Sequence, residues 1–465
     1  MTVPDWVQDA VFYQIFPDRF ANGDRTNDPP RVRRWLSTPK VWGFHGGDFQ
    51  GVIQKFDYLL DLGVNALYFT PIFKATSNHR YNASDYFVID PRLGDLKTFQ
   101  AFLNLAHRHG VHVILDGVFN HCGRGFFAFH DILENQRHSP YVSWFHIKRF
   151  PVNAYSPGKA SDYLAWWGIK SLPKFNTDNP EVRRYLLNVA AYWIEQGIDG
   201  WRLDVPNEID DDSFWAEFRS VVKSINPQAY LLGEIWVPDL RWVGDSHFDG
   251  LMNYPVRTAV LDLMENGNSA VSNFVERLTQ LIDFYPVENL SSMYVLLGSH
   301  DTERLLTRLA GSVQKARLAY LIQFSLPGAP AIYYGDEIGL TGGKDPGCRA
   351  AFPWNEQLWN HELRSWIKTL VSIRKRNEPL RRGKLSFIPL DDQPGILAFS
   401  RRSEPEKTLV IVNPGNRACQ FELPAERLTE DRVSPLRSLL TGKEYPLRNG
   451  KFNLDLEPWS GDWLQ

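Results

Sequence analysis

The stretch AAYWIEQGIDGWRLD, Ala190 to Asp204, runs from a helix-like apolar pattern through a glycine into a β-rich segment that ends on a carboxylate. Two other stretches repeat the helix, glycine, β-rich order: YLLDLGVNALYF, Tyr58 to Phe69, and LNLAHRHGVHVILD, Leu103 to Asp116. Gly63, Gly110 and Gly197 occupy the same place in all three. Glycine takes up the left-handed conformation that closes a helix at little cost, so each is read as a helix C-terminus feeding a strand. Helices and strands alternating in this way build a parallel sheet.

Eight strands are predicted along the chain: Val11 to Phe16, Ala66 to Ile72, His112 to Val118, Gly200 to Val205, Tyr230 to Ile235, Gly250 to Asn253, Met293 to Gly298 and Ala331 to Tyr334. Eight is the number that closes a (β/α)8 TIM barrel, whose active sites lie at the C-terminal ends of the strands. A doubly wound open sheet would instead require a glycine-rich phosphate turn after the first strand, and IFPDRF, Ile15 to Phe20, has none. About sixty residues separate the third strand from a helix beginning near Pro180. That is far above the usual two to six for such a connection, so an inserted subdomain is expected there. After Arg376 the pattern changes to short alternating runs, ILAFSRR, KTLVIVNP and CQFELP, split by Pro, Gly and Asn. These read as a C-terminal antiparallel β-sandwich. The predicted fold is therefore α/β, with barrel segments 1–121 and 179–380, an insert over 122–178 and the sandwich over 381–465. The insert carries Phe126, Phe127, Phe129, Tyr141, Trp144, Phe145, Phe150, Tyr155, Tyr163, Trp166 and Trp167. Most of these should form its own small core, and a minority should present flat faces to the cleft.

Three apolar runs end on acids: Asp204 in DGWRLDVPNE, Glu234 in LLGEIW and Asp301 in LLGSHDTER. Brought together at strand ends, they make one acidic cluster suited to acid/base work on an uncharged substrate. Arg202 lies two residues before Asp204 and so on the same strand face, where it can bond Asp204 and hold it charged. Glu234 is followed by Ile235 and Trp236, apolar surroundings that should raise its pKa. The loop ANGDRTNDPP offers oxygen ligands from Asn22, Asp24, Asn27 and Asp28, and HGGD adds Asp48. Such hard donors select calcium over zinc, although Asn and Asp are also ordinary turn formers.

Composition narrows the classes. The 465 residues are 43% hydrophobic and carry a net charge of −3 spread over both signs. No basic stripe suggests nucleic acid, and no run approaches the roughly 18 apolar residues of a membrane span. The opening MTVPDWVQDAVFYQIF lacks the pattern of a secretory signal, so a cytoplasmic location is expected. Cys122, Cys348 and Cys419 are odd in number and far apart, which excludes a disulfide framework and a CxxC zinc ribbon.

The segments DGVFNH (Asp116 to His121), LPKFN (Leu172 to Asn176), DGWRLDVPNE, GEIW and GSHD resemble, in order, the motifs of the α-amylase superfamily, glycoside hydrolase family thirteen. VFYQIFPDRFANGD, SNHRY, FDGLMNYP and LPKFN point to its cyclomaltodextrinase, maltogenic amylase and neopullulanase branch. The resemblance implies a retaining glycoside hydrolase cleaving α-1,4-glucosidic bonds in cyclodextrins, maltooligosaccharides and starch or pullulan, with some transglycosylation. A trehalose-forming isomerase or glucosyltransferase and an α-glucosidase share the same carboxylates and remain alternatives. The resemblance makes Asp204 the nucleophile, Glu234 the general acid/base and Asp301 the brace of a distorted sugar ring. It assigns sugar contacts to His79, Tyr81, His121, Arg202, Trp236 and His300, and contacts with the next sugar to Asp345 and Arg349 in KDPGCR. Asp116 is expected to orient neighbours such as Arg202. It also implies a structural calcium ion at Asn22, Asp24, Asn27, Asp28 and Asp48, with the carbonyl of Gly46. The likeness starts near residue 8, so the N-terminal β-domain usual in this branch is expected to be absent, with a monomer or homodimer resulting. VPNE after Asp204 differs from the commoner VANE, and Pro206 is expected to stiffen that turn.

Overall fold

In the computed structural model, described over residues 3–390, 393, 395–428 and 435–465, the eight expected strands are all present. They are β1 Phe12–Ile15, β2 Ala66–Phe69, β3 His112–Gly117, β4 Gly200–Leu203, β5 Tyr230–Gly233, β6 Gly250–Leu251, β7 Tyr294–Leu296 and β8 Ala329–Tyr333. All neighbouring strands pair in parallel, in the order β6-β5-β4-β3-β2-β1-β8-β7. A single parallel bridge, Met252 to Tyr294, joins the two ends and closes the ring. Gly63, Gly110 and Gly197 stand at φ 88°, 68° and 101°, the left-handed values that the joints require. The helix before β4, Pro180–Glu195, starts where Asn179 caps the N–H of Glu181 and proline fills the first position. Val182, Leu186, Val189, Ala190, Trp193 and Ile194 form its buried face.

The period of two along each strand sorts the side chains. Tyr13, Ile15, Leu67, Phe69, Val113, Leu115, Trp201 and Leu203 share one core with the helices. Phe12, Ala66, Tyr68, Ile114, Tyr230, Leu232, Met252, Tyr294, Leu296, Ala329 and Ala331 form a separate core, the barrel interior. Large aromatics there meet small Ala and Gly partners, the alternation that fills a barrel without voids. Counting on in steps of two from Ile114, Gly200 and Leu232 gives Asp116, then Arg202 and Asp204, then Glu234. Backbone parity thus turns these four groups inward at the C-terminal rim.

After β2 the chain makes an antiparallel hairpin, Phe73–Ala75 with Ala83–Ile89, and its turn carries SNHRY. Between β3 and the helix at Pro180 lie a helix, Phe127–Asn135, and the bridges His121 to Lys174, Phe145 to Phe175, Ile147 to Tyr163 and Ala165 to Pro173. Phe126, Phe129, Trp144, Phe145 and Tyr163 are buried, whereas Phe127, Tyr155 and Trp167 are exposed. At the C-terminus, Lys384–Phe387, Leu397–Ser403, Glu406–Asn413 and Ser460–Leu464 form a four-stranded antiparallel sheet. Cys419–Pro424, Lys451–Leu456 and Leu447–Arg448 form a second sheet, and residues such as Ile411, Phe421, Leu423 and Phe452 build a core distinct from the barrel's.

Gly200 opens β4 against the backbone of β5, where a Cβ would lie 2.1 Å from the carbonyl oxygen of Tyr230. Gly200→Ala should therefore destabilise the fold by at least about 3 kcal/mol, well beyond an ordinary surface change. Urea denaturation of the two proteins checks this, and a cost near zero would show that the two strands can separate freely.

Candidate active site

The buried guanidinium of Arg202 organises the rim. Its Nη1 lies 2.8 Å from Asp116 Oδ1 and 3.0 Å from Asp204 Oδ1, and its Nη2 lies 2.8 Å from Glu234 Oε1. One cation therefore serves three carboxyl groups, all within the barrel mouth. Asp116 is bonded further by the hydroxyls of Tyr68 at 2.6 Å and Tyr81 at 2.8 Å, both donating to Oδ2. Glu234 Oε2 accepts the backbone N–H of Val205 at 3.1 Å.

Burial pushes Glu234 up to about 7, opposed by Arg202 and reinforced by the charges of Asp301 and Asp116. This is the direction expected from its apolar flanks. For Asp204 the expectation needs correcting. Arg202 does bond Asp204, but burial, together with Glu234, Asp116 and Asp301, drives its pKa well above the usual carboxylate range. A guanidinium divided among three partners cannot neutralise each of them. The carboxyls consequently titrate as a linked set that retains a proton near neutrality.

Asp301 stands opposite on the loop after β7. Its Oδ1 lies 3.2 Å from Arg349 Nη2 and its Oδ2 3.1 Å from His300 Nε2. Arg349 also pairs with Asp345 at 3.2 Å and donates from Nε to the carbonyl of His300 at 2.9 Å. The ring of His300 stacks on Tyr81, with centroids 5.5 Å apart and planes 7° from parallel. Its Nε2 reaches the Tyr81 hydroxyl at 2.5 Å and its Nδ1 the amide of Gln14 at 2.7 Å. The ring of His79 also neighbours Tyr81, with centroids 5.9 Å apart. Burial lowers His79 and His121 to about 3 and takes His300 well below its ordinary value. All three are neutral imidazoles at physiological pH, able to donate and to accept. His121 Nε2 is buried without a hydrogen-bond partner, and the ring of Trp166 stacks on it at 5.4 Å. Trp236 stacks on Tyr254 at 3.6 Å and 9° while remaining 48% exposed.

The residues singled out from the sequence as catalytic or sugar-contacting thus converge on one cleft, but several neighbours were missed. Gln14 and Tyr68 share strand parity with Phe12 and Ala66, a signal that could have found them. Val205 could not have been found: it adopts φ 37° and ψ 52°, a left-handed conformation that β-branched residues rarely take. That turn aims its N–H at Glu234.

A second cluster lies beside the loop after β1. The amide of Asn22 donates to Asp28 Oδ1 at 2.8 Å, and a Cβ on Gly46, which sits at φ 84°, would fall 2.1 Å from that same oxygen. Asn22 Oδ1 and Asn27 Oδ1 are buried acceptors with no partner. Asp24 uses its carboxylate to cap its own turn through Thr26. Asp48 accepts from the N–H groups of Gly23, Asp24 and Gly51 and from the amide of Asn27. Among the described residues no three His, Cys, Asp or Glu side chains gather as a metal site, and the unpartnered donors here are the two amide oxygens, beside the Asp28 carboxylate and the Gly46 backbone. That set fits a hard cation with oxygen ligands better than zinc. No helix among the described residues is long and apolar enough to cross a membrane.

Comparison with known proteins agrees with this geometry. Residues 14–383 match the family described as "Alpha amylase, catalytic domain", and residues 385–463 match "Maltogenic Amylase, C-terminal domain". The chain is 44% identical over 458 residues to a cyclomaltodextrinase of Geobacillus thermopakistaniensis, covering 98% of this chain and 76% of that protein. It is 43% identical over 462 residues to neopullulanase 2 of Thermoactinomyces vulgaris, covering 99% and 78%. Among solved structures, the cyclic α-maltosyl-(1→6)-maltose hydrolase of Arthrobacter globiformis, in complex with cyclic α-maltosyl-(1→6)-maltose, superposes with a TM-score of 0.91 at 43% identity, covering 100% of both chains. The chain belongs to the α-amylase family, with an α-amylase catalytic barrel followed by a maltogenic amylase C-terminal domain.

Proposed function

We propose that the protein is a retaining glycoside hydrolase that cleaves α-1,4-glucosidic bonds in cyclodextrins and maltooligosaccharides, and in starch or pullulan chains that reach the cleft, with transfer to sugar acceptors as a side reaction. The observation that carries this reading is the group of Asp204, Glu234 and Asp116 around one buried arginine, with Asp301 facing them. Placing the shared proton on Glu234 leaves Asp204 anionic beside Arg202. Asp204 then attacks the anomeric carbon while Glu234 gives its proton to the leaving oxygen, forming a glycosyl-enzyme ester. Water, deprotonated by Glu234, releases the sugar and restores both groups. Asp301 braces ring hydroxyls as the sugar flattens. The neutral rings of His79, His121 and His300 with Tyr81 bond and stack on the same sugar, Trp236 lines the acceptor side, and Asp345 with Arg349 holds the next sugar.

A second reading, preference for cyclic α-maltosyl-(1→6)-maltose, is supported by the 43% identity and TM-score of 0.91 to the Arthrobacter hydrolase in complex with that sugar. A cytoplasmic location is supported by the 41% identity to an intracellular maltogenic amylase of Bacillus subtilis. We also propose a structural calcium ion held by Asn22, Asn27, Asp28 and the carbonyl of Gly46, with Asp24 and Asp48 shaping the loop. The unpartnered amide oxygens support it. Calcium there would tie the loop after β1 to the HGGD turn and would take no part in bond cleavage.

Chromatography of products from β-cyclodextrin, maltotriose, starch, pullulan and cyclic maltosyl-maltose tests the substrate class, and an absence of cleavage in all five overturns the hydrolase reading. On whichever substrate is cleaved, Asp204→Asn should lower kcat by on the order of 10⁴-fold, roughly 5 kcal/mol of barrier; a tenfold loss would remove Asp204 from the nucleophile's role.

Glu234 also links stability to pH. Its folded pKa of about 7 exceeds the ordinary value of 4.5, so between these values the native protein keeps a proton that the unfolded chain has lost. The resulting stabilisation is full below about 4.5 and disappears as pH rises through 7. Glu234→Gln cannot ionise, so its stability relative to the parent should be greater near pH 8 than near pH 4.5. Urea melts at the two pH values measure this, and a pH-independent difference would count against it. Chelation should lower Tm and added calcium restore it, with magnesium failing to do so. If Tm ignores all three treatments, the Asn22 to Asp28 loop is only a turn.

A further inference from the structure

Trp42 is the most exposed large apolar side chain among the described residues, at 81%. An exposed tryptophan on a loose loop would signify little, but the backbone on both sides of this one is anchored by buried side chains. The buried amide of Asn78 donates to the carbonyls on both sides of it, Val41 at 3.0 Å and Gly43 at 2.8 Å. The buried Arg19 donates to the same Gly43 carbonyl at 3.2 Å and to the carbonyl of Arg349 at 2.7 Å. Upstream, the indole of Trp35 donates to the carbonyl of Phe352 at 2.7 Å, and the N–H of Arg33 to the carbonyl of Phe44 at 2.9 Å. The segment between Arg31 and Phe44 contains no helix or strand, so these side chains fix its course.

The anchors belong to the cleft. Asn78 immediately precedes His79, in the hairpin that also supplies Tyr81. Arg349 bonds both Asp301 and Asp345. Trp42 is consequently placed beside the hairpin of His79 and the Asp345–Arg349 segment, with its indole in solvent. Folding alone gives no reason to anchor the backbone on both sides of an exposed indole. A flat apolar face beside a row of hydroxyl-bonding groups suits the C–H face of a pyranose ring.

We propose that Trp42 is a sugar-stacking platform on the donor side of the cleft, receiving a glucose unit beyond the one held by Asp345 and Arg349, so that it selects for longer or cyclic α-glucans. The proposal rests on the glucan-hydrolase reading and adds a specificity residue to it. Its test is steady-state kinetics of the full chain on maltotriose and maltohexaose. Trp42→Ala should raise KM for maltohexaose about three- to tenfold relative to any change with maltotriose, with kcat for both little altered. Trp42→Phe should recover most of the difference. Equal effects on the two substrates, or none on either, overturn the platform. So does a change confined to the molecular mass in solution, which would make Trp42 an interface between copies. Wild-type protein inert toward both sugars would overturn this inference alone, and inertness toward β-cyclodextrin, starch, pullulan and cyclic maltosyl-maltose as well would overturn the hydrolase reading with it.

Discussion

Everything at the barrel mouth depends on one buried cation. Arg202 has no access to solvent and touches three carboxyl groups that burial would otherwise drive to neutrality. Removing it would leave several uncompensated acids in a dry site, a change that typically costs about 3–5 kcal/mol for each broken pair. Its shortage of charge is equally consequential. Burial raises all three acids, and Arg202 is the first of the influences that oppose it. One guanidinium for three carboxyls keeps some of each form, which is what a reaction with both an attacking anion and a proton donor requires.

The surroundings preserve that balance. Asp116 is saturated by Arg202 and two tyrosine hydroxyls, which fixes it as an anchor. The three histidines are kept neutral by burial, aided by nearby arginines at His79 and His300 and by Lys174 at His121, so they add hydrogen-bonding capacity without adding positive charge. Asp301 has its own cation in Arg349, supplied by the loop after β8 and thus independent of Arg202. Two acid sites on separate counterions can respond differently when a sugar displaces water between them.

Much of this was legible in the sequence because the information is periodic. The helix–glycine–strand order repeats, and a step of two along a strand places Arg202 and Asp204 on the same face. The antiparallel character of the C-terminal region followed from the same alternation in ILAFSRR and KTLVIVNP. What stayed hidden is aperiodic. The hairpin carrying SNHRY has strands of three and seven residues with a register shift, too irregular for an alternation rule to find. The sharing of Arg202 is a three-dimensional fact: Glu234 arrives from β5, and nothing in the spacing of residues 202 and 234 says that their side chains meet. Asp24 and Asp48 looked like any other oxygen donors in the sequence, whereas the structure shows their carboxylates already bonded to the loop's own N–H groups.

The turn after Asp204 sets thermodynamic comfort against geometry. A left-handed valine carries backbone strain of order 1–3 kcal/mol, and here the conformation delivers an N–H to Glu234. Selection for heat resistance and selection for turnover would therefore pull this position in opposite directions: the first rewards any residue that relaxes the backbone, the second retains the awkward one. Val205 marks a ceiling on how far this scaffold can be hardened without slackening its chemistry.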